Sequence, residues 1–403
     1  MNTRKLILVI ALTALTFNTH GQADDGKTIQ VRCTDSHLAS LLGGPPDPLN
    51  RALQRARAGD TLLISGNCRE SVTITTGPLT LRGMDGGTIS GSRFEPEHSE
   101  FDGLVTIDGA RGVKISGLEI RDSRAEGVLL INGAAARIEN SAIKGNQTGI
   151  RLSQSTLTIA DSEVHDQEGS GISAISGSSL VMIGDIDIRN NLGAGLFLEG
   201  NTIAELRGAR VHIDENILGV VISLHSTLAV LELESSVGSV LTARNNAAIG
   251  IQLGQGVLMV AGEGHPVASS LIKSSNNGGP GLVAVAGSQV LSPFGAASFV
   301  FNNNPVGMVL MTNSSTEIRG GLQVQENAGP GIVATGAGVI MLRSVPDPDH
   351  PVPSDTPSPS TIGNNAGPAV IADFGTRLDI RSIEVSGPVI CDPTVLSTSA
   401  ICQ

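Results

Sequence analysis

The stretch "IRNNLGAGLFLEG", residues 188–200, decides the fold, because the chain keeps returning to it. The same Asn-bearing polar turn between short apolar stretches recurs in "IKGNQTGIRLSQ" (143–154), "IDENILGVVISLH" (213–225), "ARNNAAIGIQLGQ" (243–255), "FNNNPVGMVLMTN" (301–313), "VQENAGPGIVATG" (324–336) and "IGNNAGPAVIADFG" (362–375). The glycine that precedes a branched residue after each turn gives a ruler: Gly127, Gly149, Gly171, Gly195, Gly219, Gly250, Gly281, Gly307, Gly331, with Ala369 in its place at the end. Successive intervals are 22, 22, 24, 24, 31, 31, 26, 24 and 38 residues. The last holds an 18-residue Pro- and Ser-rich insertion, "SVPDPDHPVPSDTPSPST" (344–361), so a unit of about 20–24 residues underlies all of them.

Within a unit the apolar residues alternate. Leu157 and Ile159 are followed by Val164 and Ile172, and the next unit offers Leu180, Met182, Ile186, Ile188, Leu196 and Leu198. Alternation over three to five residues, broken by Gly or Asn, means short strands with one buried face. Three strands per unit without a helical pattern between them make one coil of a parallel β-helix, each coil pairing with the next. The expected fold is all-β, a single-stranded right-handed parallel β-helix of about 11–12 coils, roughly 55 Å long at the usual strand spacing.

The turns then have a structural purpose. Asn146, Asn191, Asn216, Asn246, Asn277, Asn304, Asn327 and Asn365 fall at equivalent places in their coils, where amides can stack as a ladder. The glycine that follows is expected to carry the chain round the corner at positive φ. The open ends of such a stack need caps. "DPLNRALQRARAGD" (47–60) supplies one, a short helix with Leu49, Ala52, Leu53 and Ala56 along one face.

Composition bounds the setting. Arg4 and Lys5 precede an apolar run from Leu6 to Phe17 and then "NTHGQA", the pattern of a secretory signal peptide over 1–23. The remaining organisation is an N-terminal segment and capping helix (24–59), the β-helix (60–390) with its insertion at 344–361, and a tail (391–403). Four cysteines suit an oxidising compartment. Pairing near neighbours, Cys33–Cys68 and Cys391–Cys402, staples each end of the molecule. The expected location is extracytoplasmic: secreted, periplasmic or on the cell surface, with no membrane span after signal removal. The formal charge of −12 becomes −14 once Arg4 and Lys5 leave with the signal, which disfavours nucleic acid and repels polyanions unless divalent cations bridge them. With 50 glycines, no Trp, no Tyr and eight Phe, the core must be narrow and built from small branched residues.

At this point the pattern resembles the pectate-lyase-like superfamily of right-handed parallel β-helix proteins. It is nearest to secreted bacterial repeat proteins that begin with a short helix and a stretch such as "AGDTLLISGNCRESVTI" (58–74). The resemblance implies the fold. For function it implies a range, since the scaffold carries lyases, hydrolases, epimerases, adhesins and non-catalytic surface proteins. Neither the NTD and paired-Asp motifs of its glycosidases nor the DPH motif of its epimerases is present. "DPDH" (347–350) matches the latter only superficially and sits in the Pro-rich insertion. Sugar clefts stack rings on aromatics, and only Phe94, Phe101, Phe294, Phe299 and Phe301 offer such a platform beside loops; filling the core is the commoner role of such residues.

One outward cluster stands out. Aligning Val164, Ile188 and Ile213 puts Asp161, Asp185 and Arg210 in one column, Glu163, Asp187 and His212 in the next, and His165, Arg189 and Asp214 just beyond. Glu163, Asp187, His212, His165 and Arg189 are the candidate catalytic residues. Asp161, Glu163, Asp185 and Asp187 are the candidate ligands for Ca2+, the one cofactor the residues suggest. The competing reading is a solvated wall of exposed ion pairs. The expectation is a non-catalytic scaffold that binds an extracellular polysaccharide or a cell-surface component. The alternative is a polysaccharide lyase, glycoside hydrolase or epimerase.

Overall fold

The computed structural model describes residues 26–33, 47–92, 102–231, 238–261, 270–336, 338–343, 360–397 and 402. The leader, Phe94, Phe101, Asp347–His350 and nearly all of the Pro-rich insertion lie outside them. The chain winds as a right-handed parallel β-helix with three faces. A sheet bent along its length makes faces 1 and 2, and a separate 13-stranded sheet makes face 3. The coil around residue 160 shows the pattern. The strand Thr148–Ser153 lies on face 3, and Thr156–His165 runs along face 1, bends at Asp161 and continues on face 2. Ile172–Ile175 then opens the next rung of face 3. The 13 rungs exceed the count of 11–12 because coils at both ends lack the Asn–Gly signature.

Inside, the alternating Leu, Ile and Val side chains stack in columns, and nearly all are fully buried. Phe299 and Phe301 join them at 0 % exposure, with ring centroids 6.3 Å apart, so they are core residues and offer no sugar platform. The N-terminal end is closed by the helix Pro48–Arg55, which buries Leu49 completely. Its first N–H groups are held from a distance: Glu70 accepts from Leu49 N at 2.8 Å and from Asn50 N at 2.9 Å, opposite the start of the helix dipole. Beside it Cys33 and Cys68 form a disulfide, and at the other end Cys391 pairs with Cys402.

The corner between faces 2 and 3 carries the asparagine ladder. Asn191 donates from its backbone N–H to Asn216 Oδ1 (3.0 Å), Asn216 to Asn246 (3.1 Å), and the series continues through Asn277, Asn304 and Asn327 to Asn365. Each Nδ2 also donates to a strand carbonyl of the preceding coil, as Asn216 does to Ile188 O at 3.1 Å. Sequence reading missed one rung. Gln167, 1 % exposed, fills the place between Asn146 and Asn191, accepting from Asn146 N (2.8 Å) and donating to Ile143 O (2.7 Å).

The glycine expectation is corrected. Positive φ belongs to the residue just before the ladder amide, as at Asn190 (54°), Glu215 (56°), Asn245 (53°) and Asn276 (55°). Gly195 is needed for space. A Cβ there would lie 2.5 Å from Ile213 Cγ2 and 2.9 Å from Asn216 Nδ2. The other two corners carry shorter ladders of buried hydroxyls, such as Ser141 N to Ser162 Oγ (3.2 Å) and Thr202 N to Ser226 Oγ (3.2 Å).

Replacing Asn216 by Ala orphans the buried Asn191 N–H and removes the amide donor on Ile188 C=O. The expected loss is about 1–3 kcal/mol, the scale of one buried unpaired donor, read as a lower urea midpoint. Asn216→Gln, the amide already used at position 167, should cost less than half of that; equal losses would show that the ladder amide is not the stabilising element.

Candidate functional site

Three strands build the charged cluster: Thr156–His165, Ser179–Arg189 and Ile203–Asp214. Their alternating Val and Ile residues lock the outward register. Glu163 faces Asp187, which faces His212, and His165 faces Arg189, which faces Asp214. Asp185 neighbours Arg210, without an ion pair between them. Asp161 is a bend residue. It sits at the corner between faces 1 and 2 with φ 45°, and its Oδ1 accepts the Asp185 N–H at 3.1 Å.

Arg189 is the centre of the cluster. Its Nε donates to Asp187 Oδ2 at 2.6 Å and its Nη2 to Glu163 Oε2 at 2.9 Å, so one guanidinium joins two carboxylates that would repel each other across adjacent rungs. Partial burial works against the charge on Arg189, and the two carboxylates outweigh it, holding its pKa above the ordinary value. His165 Nδ1 lies 2.6 Å from Asp166 Oδ2, and its Nε2 is 3.8 Å from Glu163. Burial also opposes ionisation of Asp166, and hydrogen bonds from His165 and Asn190 prevail, keeping its carboxyl below the usual range. Asp214 accepts from Arg244 Nε (2.8 Å) and Asn245 Nδ2 (2.9 Å). His212 has no side-chain partner among the described residues.

The Asp187–Arg189 pair is one of a set. "EIR" (119–121), "DIR" (187–189), "ELR" (205–207), "EIR" (317–319) and "DIR" (379–381) each place an acid and an Arg two residues apart on one outward face, and each forms an ion pair within its own strand. The signal was legible as an acid-x-Arg repeat. Reading only across coils conceals it.

The four candidate Ca2+ ligands do not converge. Among the described residues, the one group of three or more His, Cys, Asp or Glu with ligand atoms within 4.8 Å of one another is Cys33, Cys68 and Glu70, whose sulfurs are already joined. Ca2+ takes six to eight oxygens around one point, and Asp161, Glu163, Asp185 and Asp187 as placed do not supply that cage.

One titratable group outside the cluster is unusual. Glu126, on the face 3 strand Glu126–Ile131, keeps 2 % of its side chain exposed. Oε1 accepts from Arg151 Nη1 at 3.2 Å, whereas Oε2 is buried without a hydrogen-bond partner. Burial pushes its pKa up against its own backbone N–H and Arg151.

A family description, right handed beta helix region, matches residues 103–291. Among solved structures the chain is similar to pectate lyase Pel9A (12% identity, 82% of this chain and 82% of that one, TM-score 0.45). It is also similar to the A-module of mannuronan C-5 epimerase AlgE6 from Azotobacter vinelandii (12%, 91% and 96%, TM-score 0.35) and to DFA-IIIase from Arthrobacter chlorophenolicus A6 (13%, 94% and 99%, TM-score 0.39). The chain is a right-handed parallel β-helix, as the matched region and the two parallel sheets agree.

Glu126 carries a pH dependence whose sign follows from its raised value. Below the unfolded-state pKa both states hold the proton and burial costs nothing. As pH rises toward the folded-state value, the wild type loses stability. Glu126→Gln should match the wild-type unfolding midpoint near pH ~4 and exceed it near pH ~8, spanning the ordinary glutamate range. A constant difference across that range would assign Glu126 a purely steric role.

Proposed function

We propose that this protein is an extracytoplasmic β-helix scaffold that binds a polysaccharide or cell-surface component along its outer faces and does not cleave it. The observation that carries the reading is the state of the cluster. Arg189 engages both Glu163 and Asp187, the best-placed pair of carboxylates, in an arrangement repeated on strands elsewhere on the rod. A general acid and base need one free carboxylate each and room for a substrate between them. Here the acids serve strand pairing. Two disulfides fit an oxidising compartment, and among the described residues no helix is long and apolar enough to cross a membrane. The signal-like residues 1–23 support export of the remainder.

One observation favours the second reading, a polysaccharide lyase, hydrolase or epimerase. The short His165–Asp166 contact is the geometry by which a carboxylate orients a histidine base.

Incubation of the purified chain with uronate-containing and neutral glycans separates the two. The scaffold reading expects retention of at least one glycan on the protein with no unsaturated ends and no new reducing ends, and a Glu163→Ala/Asp187→Ala variant whose glycan binding changes less than about threefold, the scale of exposed ion pairs. Product formation abolished by His165→Ala would establish the enzyme instead.

A further inference from the structure

Face 2 changes character along the rod. In its N-terminal half acids and cations alternate and neutralise one another: Arg121 and Lys144 hold Glu119, and Arg189 holds Glu163 and Asp187. From Arg210 to Gly363, across six rungs or about 24 Å, the strands of this face contain a single acid. That acid is Asp214, and Arg244 and Asn245 already occupy it. On the same strands, among the described residues, Arg210 and Lys273 have no ion-pair partner and the His212 side chain has no hydrogen bond.

The register brings these three together. Arg210 and His212 are two residues apart on one strand and point the same way, about 7 Å from each other. Lys273 follows His212 in the same outward column through Thr242, two rungs or about 10 Å further. Beyond Lys273 the column continues with Val300, Gln323 and Thr361, uncharged throughout. Glu215 and Glu326 lie past the strand ends on the turns, off these columns.

Elsewhere on the strands of face 2 each Arg or Lys is ion-paired, so two unpaired cations in one stretch of a protein of formal charge −12 call for a reason. Holding such cations uncompensated on a rigid sheet gives no stability, since a cation gains only from a partner. It does give a surface to which fixed anionic groups of an extended polymer can be matched at two or three points without paying to order the protein side. The nearest unpaired acid, Asp185, lies beside Arg210 on the preceding rung, where the guanidinium repels a divalent cation. Among the described residues these strands offer no second free carboxylate to complete a bridging site, so the contact is direct.

We infer that the C-terminal half of face 2, at Arg210, His212 and Lys273, is a binding strip for an acidic polysaccharide, contacted through its carboxylate or sulfate groups without a bridging divalent cation. This rests on the scaffold reading and specifies its ligand. It departs from the expectation drawn from net charge alone, that polyanions approach this chain only through bridging cations. The acids that give the chain its negative sum lie, Asp214 apart, outside these strands.

The test is binding to immobilised dextran sulfate, polygalacturonate, neutral dextran and duplex DNA, all in EDTA. The strip predicts retention on the two acidic glycans and not on dextran, weakening with added salt. Arg210→Glu/Lys273→Glu should lower affinity by about tenfold or more, the scale of reversing close charge contacts. The charge-matched control Arg82→Glu/Arg377→Glu, on face 1, should lower it less than about threefold. Unchanged unfolding midpoints confirm that both variants are folded. Equal losses in the two variants would reduce the effect to net charge and overturn the strip. Binding that requires Ca2+, or DNA bound as tightly as glycan, also overturns it. Retention on neutral dextran alone would sink this inference and leave the scaffold reading standing, whereas no retention on any glycan would remove both.

Discussion

The winding of this chain depends on one constraint: each coil carries main-chain polar groups through a closed corner where water cannot reach them. A buried N–H or C=O without a partner costs about as much as several exposed contacts return. The amide ladder meets the need with one side chain per coil, because Oδ1 accepts from the coil before and Nδ2 donates to a strand carbonyl of that same coil. Its backbone donors all point one way along the axis, each to the amide oxygen of the next coil, so each bond polarises the next. The geometry leaves no slack. Along the amide ladder, three to six residues lie between the end of a face 2 strand and the start of the following face 3 strand, from Lys144–Thr148 to Gly363–Val370, whereas a coil ahead of the ladder has twelve, between Ser90 and Gly103. The longer segments that stretch some repeats to 31 and 38 residues enter at the corner between faces 1 and 2, after Leu231, Ala261 and Arg343. Within the span of the amide ladder, these insertions go where the corner is made of small hydroxyls.

That constraint also explains what sequence reading could find. Eight of the ladder amides were legible because they recur at a near-constant distance from a glycine, and period-two alternation gave the strands. Gln167 escaped because its extra methylene shifts nothing in the spacing and Gln is no turn signal. The glycine was read for its freedom of backbone, whereas the structure uses its missing Cβ to let the next coil's amide approach. The hydroxyl ladders at the other corners left no usable trace, since Ser and Thr populate turns of every kind. Phe299 and Phe301 looked like loop residues only because the neighbouring interval is irregular. Opposite them the preceding coil supplies Ile272 and the small Ser274, which leaves room for the two rings in the core.

The charged cluster was legible as a set of positions and illegible as chemistry. Stacking the coils by their buried residues gave the right outward neighbours for Glu163, Asp187 and His212. Which of those groups is free depends on the partner two residues along the same strand, and the direction a guanidinium takes is settled by side-chain packing. Parallel in-register stacking brings like positions of neighbouring coils within about 5 Å, so two acids in one column destabilise the stack unless a cation sits beside them. An acid-x-Arg strand answers this inside one coil. It balances charge within one coil, and where a neighbouring acid lacks an Arg of its own strand, as Glu163 does, the same guanidinium reaches across to it.

Once that rule is recognised, the places where it lapses carry the information. Glu126 lapses inward: a carboxylate taken out of water with one oxygen unanswered, at a cost the wall of ion pairs never incurs. Arg210 and Lys273 lapse outward, as cations without an acid on strands that elsewhere supply one. A repeat protein gains nothing in winding from either departure, because the ladders and the buried columns are complete without them. In a molecule whose every coil solves the same folding problem in the same way, function is to be sought at the side chains that the solution does not require.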